Sequence, residues 1–326
     1  MRGSTVLVTG AAGFIGSHLV ERLVAGGATV RAFCRYTSRT ELGGLRDLPR
    51  DVLDELDIRF GDLLDSDFVG SAVAGVDVVF HLGASISVAY SYVAPREVVE
   101  TNVIGTLNVL TAAQDAETPR VVQLSSSEVY GTAQYTPIDE EHPLHPQSPY
   151  AASKVGADKL AETFHLSFGL PVVIARPFNT YGPRQSQRAV IPTIVAQALA
   201  GDELTIGATT PTRDFVYVGD TVDALLTLGA GRDHAGEIFN ISTGIDVSVA
   251  DVVVLVGELV GRELSVRTVE SRLRPESSEV YQLLGSAERL RSAYDWEPRT
   301  SLHDGVRAVV DWMAARPEQA VESRAV

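Results

Sequence analysis

A chain of 326 residues, 45% of them hydrophobic, can bury one large core or two modest ones. Its formal net charge of −15 sets up a field that repels nucleic acid and anionic membranes, so neither is expected as a partner, and any cluster of arginines becomes a candidate site for an anionic small ligand. No run reaches the roughly 20 apolar residues of a membrane span, MRGSTVLVTG leads into a strand rather than a signal-peptide core, and the single Cys34 leaves no internal disulfide and no metal-ligand cluster. A cytoplasmic protein without a metal is the expectation.

In chain order, TVLVT (5–9) reads as a strand, 13–26 as a helix with apolar spacing, and ATVRAF (28–33) as a second strand, which together make one βαβ unit. Further strands are expected at 57–62, 76–84, 120–126 and 171–177, with helical patterns at 95–115 and 149–168 between them. Near-continuous Val, Ile and Leu in those strands predicts a parallel sheet covered on both faces. Beyond residue 177, helices at 187–200, 219–230, 247–260 and 301–314 mingle with short strands. The division expected is a dinucleotide-binding domain at 1–177 and a smaller α/β substrate lobe at 178–326, partly interleaved with the first.

TGAAGFIG places Gly10, Gly13 and Gly16 between the first strand and the first helix. Small residues there let the backbone approach a pyrophosphate at the positive end of a helix, the arrangement of a doubly wound Rossmann sheet. Phe14 and Ile15 belong to the same turn. GD at 61–62 and HLGA at 81–84 end later strands and support a cofactor reading.

SSSEVYG (125–131) ends an apolar strand, and YAASK (150–154) opens a helix. Residues four apart share a helix face, so Tyr150 and Lys154 can address one reacting group, and an ammonium beside a phenol is expected to lower its pKa and make it a usable base. Ser126 can hold a sugar oxygen against Tyr150, completing a Ser-Tyr-Lys triad that removes a proton as hydride leaves for a nicotinamide. Glu128 adds a carboxylate beside the triad. His81 and His18 read as packed histidines, and His142 with His145 make a poor zinc site.

These motifs resemble the extended short-chain dehydrogenase/reductase family over nearly the whole chain. The longer runs SSSEVYGTAQYTPIDEEHPL, QSPYAASKVGADKLAE, RPFNTYGPRQSQRAVIPTI and TPTRDFVYVGDT, with CRYTSR at 34–39, are similar to the NDP-N-acetylhexosamine 4,6-dehydratases of the legionaminic-acid pathway. The resemblance implies that Asp62 and Leu63 contact the adenine, that Leu82, Gly83 and Ala84 line the cofactor, and that Pro177 completes the cofactor set. It also implies a homodimer built on the helices at 95–115 and 149–168. Members that prefer NAD carry an acidic residue at the end of strand two; Cys34 stands there, followed by Arg35, so the choice between NAD and NADP leans toward NADP.

The pair Ser127 and Glu128 separates branches of the resembled family. A simple 4-epimerase needs no acid there. A 4,6-dehydratase needs a carboxylate to take the C5 proton once C4 is a ketone, and Glu128 fills that role. dTDP-glucose 4,6-dehydratases have an Asp where this chain has Ser127; GDP-mannose 4,6-dehydratases and UDP-glucuronate decarboxylases share a Thr-Ser-Glu pattern. The expected activity is an NDP-sugar 4,6-dehydratase, with a 4-epimerase and then a uronate decarboxylase as alternatives and a non-catalytic dinucleotide sensor as a reading of another class. Asn179 and Arg184 follow the last core strand, Arg213 and Arg274 come from later segments, and guanidinium groups suit a diphosphate. The resemblance sets Asn179, Arg213 and Arg274 on the diphosphate or sugar and ELTIG (203–207) beside the base; Ser87 is a further sugar contact.

Overall fold

The computed structural model describes residues 1–38, 40–269 and 278–316. Seven parallel strands form the main sheet: β1 (Thr5–Thr9), β2 (Thr29–Arg35), β3 (Asp57–Gly61), β4 (Val78–His81), β5 (Val121–Leu124), β6 (Val172–Pro177) and a last strand at Ile238–Ile241. From one edge to the other they run Ile238–Ile241, β6, β5, β4, β1, β2, β3. The chain order therefore reverses between β1 and β4, where Thr9 stands opposite His81, and a crevice opens at the C-terminal ends of the strands.

Strands β4, β5 and β6 are buried at every position because helices cover both faces. One apolar core lies under α1 (Phe14–Ala25) and the Val218–Ala230 helix, and another lies on the opposite face under the Ser66–Val73, Gly105–Asp115 and Pro149–Phe168 helices. A separate core joins the Val190–Ala200, Val249–Val260 and Leu302–Ala314 helices in the C-terminal part. The main sheet does not stop at residue 177: Ile238–Ile241 pairs with β6, with Ile241 opposite Pro177. Its sequence, IFNI, is short and carries Asn240, whose amide is satisfied only by distant partners described below.

The helix that carries Tyr150 is sharply bounded. Ser148 Oγ accepts from the Ala151 amide, Pro149 occupies the first turn, and Gly169 closes the far end at φ 71°. The segment expected as one helix at 95–115 is Pro95–Val99, a π turn at Glu100–Ile104, and Gly105–Asp115. That bulge turns Asn102 inward, where it is 1% exposed. No helix of the described residues is long and apolar enough to cross a membrane.

Candidate active site

The glycine turn is built for close approach. Gly10 has φ +69°, and a Cβ there would meet the Gly83 backbone at 2.9 Å; one on Gly16 would meet the Gly10 carbonyl at 2.2 Å. The turn, the first turn of α1 and the exit of β4 thus press together as only glycine allows. Gly13 at the N-cap has no side chain to occupy the first amides of α1, so these donors face the crevice with the positive end of the helix dipole. Phe14 and Ile15 are half-buried in that turn, and Leu82, Gly83 and Ala84 leave β4 beside it. These residues fit the pyrophosphate of a dinucleotide.

The adenosine side departs from expectation at two positions. Cys34 is fully buried in the core, Sγ 3.8 Å from the Ala32 carbonyl, and burial pushes its thiol up to about 11. It is a packed neutral group and cannot serve a ribose in place of a carboxylate. Arg35 stays on the surface with its side chain 75% exposed, 3.7 Å from Glu97, which also accepts from Tyr90 OH at 2.5 Å. Asp62 is exposed and caps its own loop by accepting from Leu64 N, whereas the Leu63 side chain is buried.

At the end of β5 the chain turns through a 3₁₀ segment, Ser127–Tyr130, capped by Ser126 Oγ accepting from Glu128 N at 3.2 Å. This turn brings Ser126 to Tyr150, with which it hydrogen-bonds, and sets the Glu128 charge against the same phenol. Tyr150 and Lys154 are 8% and 4% exposed, and Lys154 Nζ donates to the Leu124 carbonyl at 2.6 Å. The four residues expected to carry the chemistry therefore meet.

Their electrostatics reverse one expectation. Burial raises the Tyr150 phenol to about 12, against the Ser126 hydrogen bond that favours the phenolate, and Glu128 and Asp158 raise it further. Burial likewise brings the Lys154 ammonium down to about 8, opposed by Asp158. In a dry pocket desolvation outweighs the local pairing that spacing alone suggests. A cation entering beside Tyr150 would restore the balance.

A directed hydrogen-bond chain fixes the surroundings. Gly83 N donates to Thr9 Oγ1, which donates to His81 Nδ1 at 2.7 Å; His81 Nε2 donates to Thr106 Oγ1 at 3.0 Å, which donates to the Asn102 carbonyl. His81 is held neutral, near 3, by burial and by the Lys154 charge. Asn102 accepts from Ser85 N and donates to Ser85 O and Ser153 Oγ, tying the loop after β4 to the catalytic helix. Sequence reasoning missed Asn102, because nothing in ETNVIG announces an inward turn.

On the lobe side, Asn179 follows β6 with its Oδ1 buried and without a hydrogen-bond partner, an acceptor suited to a polar ligand group. Arg213, its side chain 9% exposed, reaches Glu279 at 3.6 Å and donates to the Thr212 carbonyl. Asp214 anchors that strand by accepting from Thr243, Gly244 and Gly285 amides. Arg184 departs from its expected role: it donates to Glu21 of α1 at 2.8 Å and straps the lobe to that helix. Ser87 Oγ caps the Val88–Val93 helix through Tyr90 N, and Ser127 is 3% exposed. Pro177 ends β6, and Arg274 lies outside the described residues. Among the described residues no cluster of His, Cys, Asp and Glu could hold a metal ion.

Known proteins resemble this chain in sequence and in fold. Residues 7–309 match the family described as GDP-mannose 4,6 dehydratase. A dTDP-glucose 4,6-dehydratase of Actinoplanes sp. is 35% identical over 318 residues, covering 95% of this chain and 98% of that protein. The solved structure of MoeE5 in complex with UDP-glucose and NAD superposes with TM-score 0.84 at 33% identity, covering 95% of this chain and 99% of its own. The epimerase Mth375 of Methanothermobacter thermautotrophicus superposes with TM-score 0.90 at 29% identity, covering 99% and 95%.

Proposed function

The chain belongs to the GDP-mannose 4,6 dehydratase family, among the extended short-chain dehydrogenases/reductases, and from that premise we propose that it is an NDP-sugar 4,6-dehydratase. The observation that carries the reading is the Glu128 carboxylate set against the same phenol that Ser126 bonds. One centre can then handle a proton on the C4 hydroxyl and a proton on C5.

Ser126 and Tyr150 hold the C4 oxygen, and Tyr150 takes its proton as C4 is oxidised. The glycine turn of Gly10, Gly13 and Gly16 and the Leu82–Ala84 exit of β4 would hold NAD, which would supply the hydride acceptor and donor and a positive charge that favours a phenolate in this dry pocket. Lys154, fixed by the Leu124 carbonyl, stabilises the phenolate. The C4 ketone acidifies C5; Glu128 takes that proton and passes it to the hydroxyl leaving C6, so that water departs, and as hydride returns to C6 a proton from solvent completes C5 while Tyr150 gives its proton up to solvent. Ser127, buried where a second acid would stand, leaves both proton transfers to Glu128.

Arg213 and Asn179 are the groups we assign to the diphosphate and sugar, with Arg213 exchanging Glu279 for phosphate. NAD is favoured over NADP, because Arg35 at the end of β2 already faces Glu97, whose charge opposes a 2′-phosphate. The bound NAD of MoeE5 supports the same choice. A homodimer is part of the reading, with Val99 and Ile104, 42% and 44% exposed, on the helices the family uses for it; a monomer mass in light scattering would refute it.

The test is the product mass after incubating the purified protein with UDP-, GDP- and dTDP-hexoses, N-acetylhexosamines and hexuronates. Loss of one water from one of them is expected. An unchanged mass with a new chromatographic peak would make the protein an epimerase, the reading that its likeness to Mth375 favours. Loss of carbon dioxide would make it a decarboxylase, and no turnover at all would return the non-catalytic sensor.

A further inference from the structure

One buried charged cluster has no part in the chemistry above. Asp158 lies one helical turn beyond Lys154 and two beyond Tyr150, and it is fully buried. Its Oδ2 accepts from Ser125 Oγ at 2.8 Å and from Arg176 Nε at 3.0 Å. Arg176, 1% exposed, also donates to Tyr130 OH, which donates to Asn240 Oδ1 in the strand beyond β6. Asn240 N in turn donates to Glu140. The cluster thus runs from the catalytic helix, past the residue next to Ser126, to the far edge of the sheet.

We propose that Asp158 is a positioning residue of the proton relay: through Ser125 it fixes the end of β5 that presents Ser126, and its charge keeps Lys154 protonated in a site from which water is excluded.

Lys154 donates to the Leu124 carbonyl on β5, its charge is felt by His81 on β4, and Asp158 on its own helix acts on it, while Glu128 acts on Tyr150 and Arg176 on β6 bonds the Asp158 carboxylate. His81 is neutral, Glu128 faces Tyr150, and Arg176 lies on the other side of the Asp158 carboxylate, so Asp158 is the anion acting on Lys154. Burial raises the Asp158 pKa, and the Arg176 guanidinium, which keeps its own proton, the Ser125 hydrogen bond and the Lys154 charge each work against that rise and favour the carboxylate. Asp158 Oδ1, moreover, is buried with no hydrogen-bond partner. A purely structural strap would gain by satisfying both oxygens, since a buried acceptor left unpaired is destabilising.

The inference rests on Lys154 belonging to the relay, but its test needs no substrate. The chain contains only two lysines, Lys154 and Lys159, and the Lys159 side chain is 57% exposed. Protein labelled with ¹³C at lysine Cε therefore gives two resonances, one of them an internal reference. In the holoenzyme as purified, Lys154 should titrate near 8, well below the ordinary lysine value. Asp158→Asn should move the Lys154 midpoint down by about one pH unit or more and leave Lys159 in place. If loss of the Arg176 partner prevents folding, Asp158→Asn with Arg176→Met removes both charges and should move Lys154 in the same direction. An unmoved Lys154 midpoint, with only a lowered melting temperature, would overturn the proposal and leave a structural strap. With a substrate in hand, the alkaline limb of kcat/KM should move to lower pH by the same amount; a limb that stays while the resonance moves would overturn the link to catalysis. A moved resonance in a protein that turns over no NDP-sugar would keep the electrostatic device and sink the proposed function instead.

Discussion

Arg176–Asp158 and Arg35–Glu97 are the same kind of ion pair in opposite surroundings. The first has side chains 1% and 0% exposed, a separation of 3.0 Å and hydrogen bonds running on to Tyr130 and Ser125. The second has side chains 75% and 41% exposed, 3.7 Å apart at the rim. In the dry floor of the site each charge is felt strongly by its neighbours, and neither partner of the pair can be removed alone. At the rim water and salt weaken every term, so an arginine there can change partner. The floor is therefore suited to holding protons at fixed energies, and the rim to choosing among ligands.

Five substitutions probe that contrast. Tyr150→Phe removes the hydroxyl that Ser126 bonds and should cut turnover by about 10²–10⁴ with folding intact; turnover unchanged would remove Tyr150 from the mechanism. Arg176→Met leaves Asp158 buried and uncompensated, a loss of about 3–5 kcal/mol read from the urea midpoint. Arg35→Met, the matched change at the rim, should move that midpoint by under about 1 kcal/mol. Equal losses at the two pairs would erase the distinction between floor and rim.

Lys154→Met should abolish activity yet not destabilise the protein at neutral pH. The sign follows from its depressed pKa, about 8 in the fold against 10.5 free. Between those values the unfolded chain binds the extra proton, so wild-type stability rises with pH through that window, and burying the lysine costs most below about 8. The variant's relative stability should therefore be greatest at pH 7 and decline toward pH 10, as thermal melts across that range would record; a flat difference would contradict it. The smallest effect is expected for Glu97→Gln, which should tighten NADP binding a few-fold at low salt and less as salt rises, measured by calorimetric titration beside NAD.

Much of the floor was legible in the sequence because it is local. TGAAGFIG and YAASK sit within single turns whose geometry follows from strand and helix spacing, and the catalytic helix runs from Pro149 to Phe168 as its pattern predicts. What escaped depends on burial and distant partners. The rise in the Tyr150 pKa could not be read from a lysine four residues away, since the competing term is the loss of water. Cys34 reads as a ribose neighbour until β2 is seen to turn its thiol into the core. Asp158 looks like one more helical acid until Arg176 arrives from 18 residues on. The strand Ile238–Ile241 is equally hidden, because Asn240 is tolerable in a buried position only with Tyr130, Ile138 and Glu140 around it.

The most direct test of Glu128 as the base at C5 is turnover in D₂O with the sugar nucleotide that loses water. Removal of the C5 proton and its replacement from solvent predict a product lighter by one water and carrying one deuterium at C5, formed about 10²–10⁴ more slowly by Glu128→Gln. A product without deuterium at C5, or a Glu128→Gln variant that eliminates water at the original rate, would contradict the account.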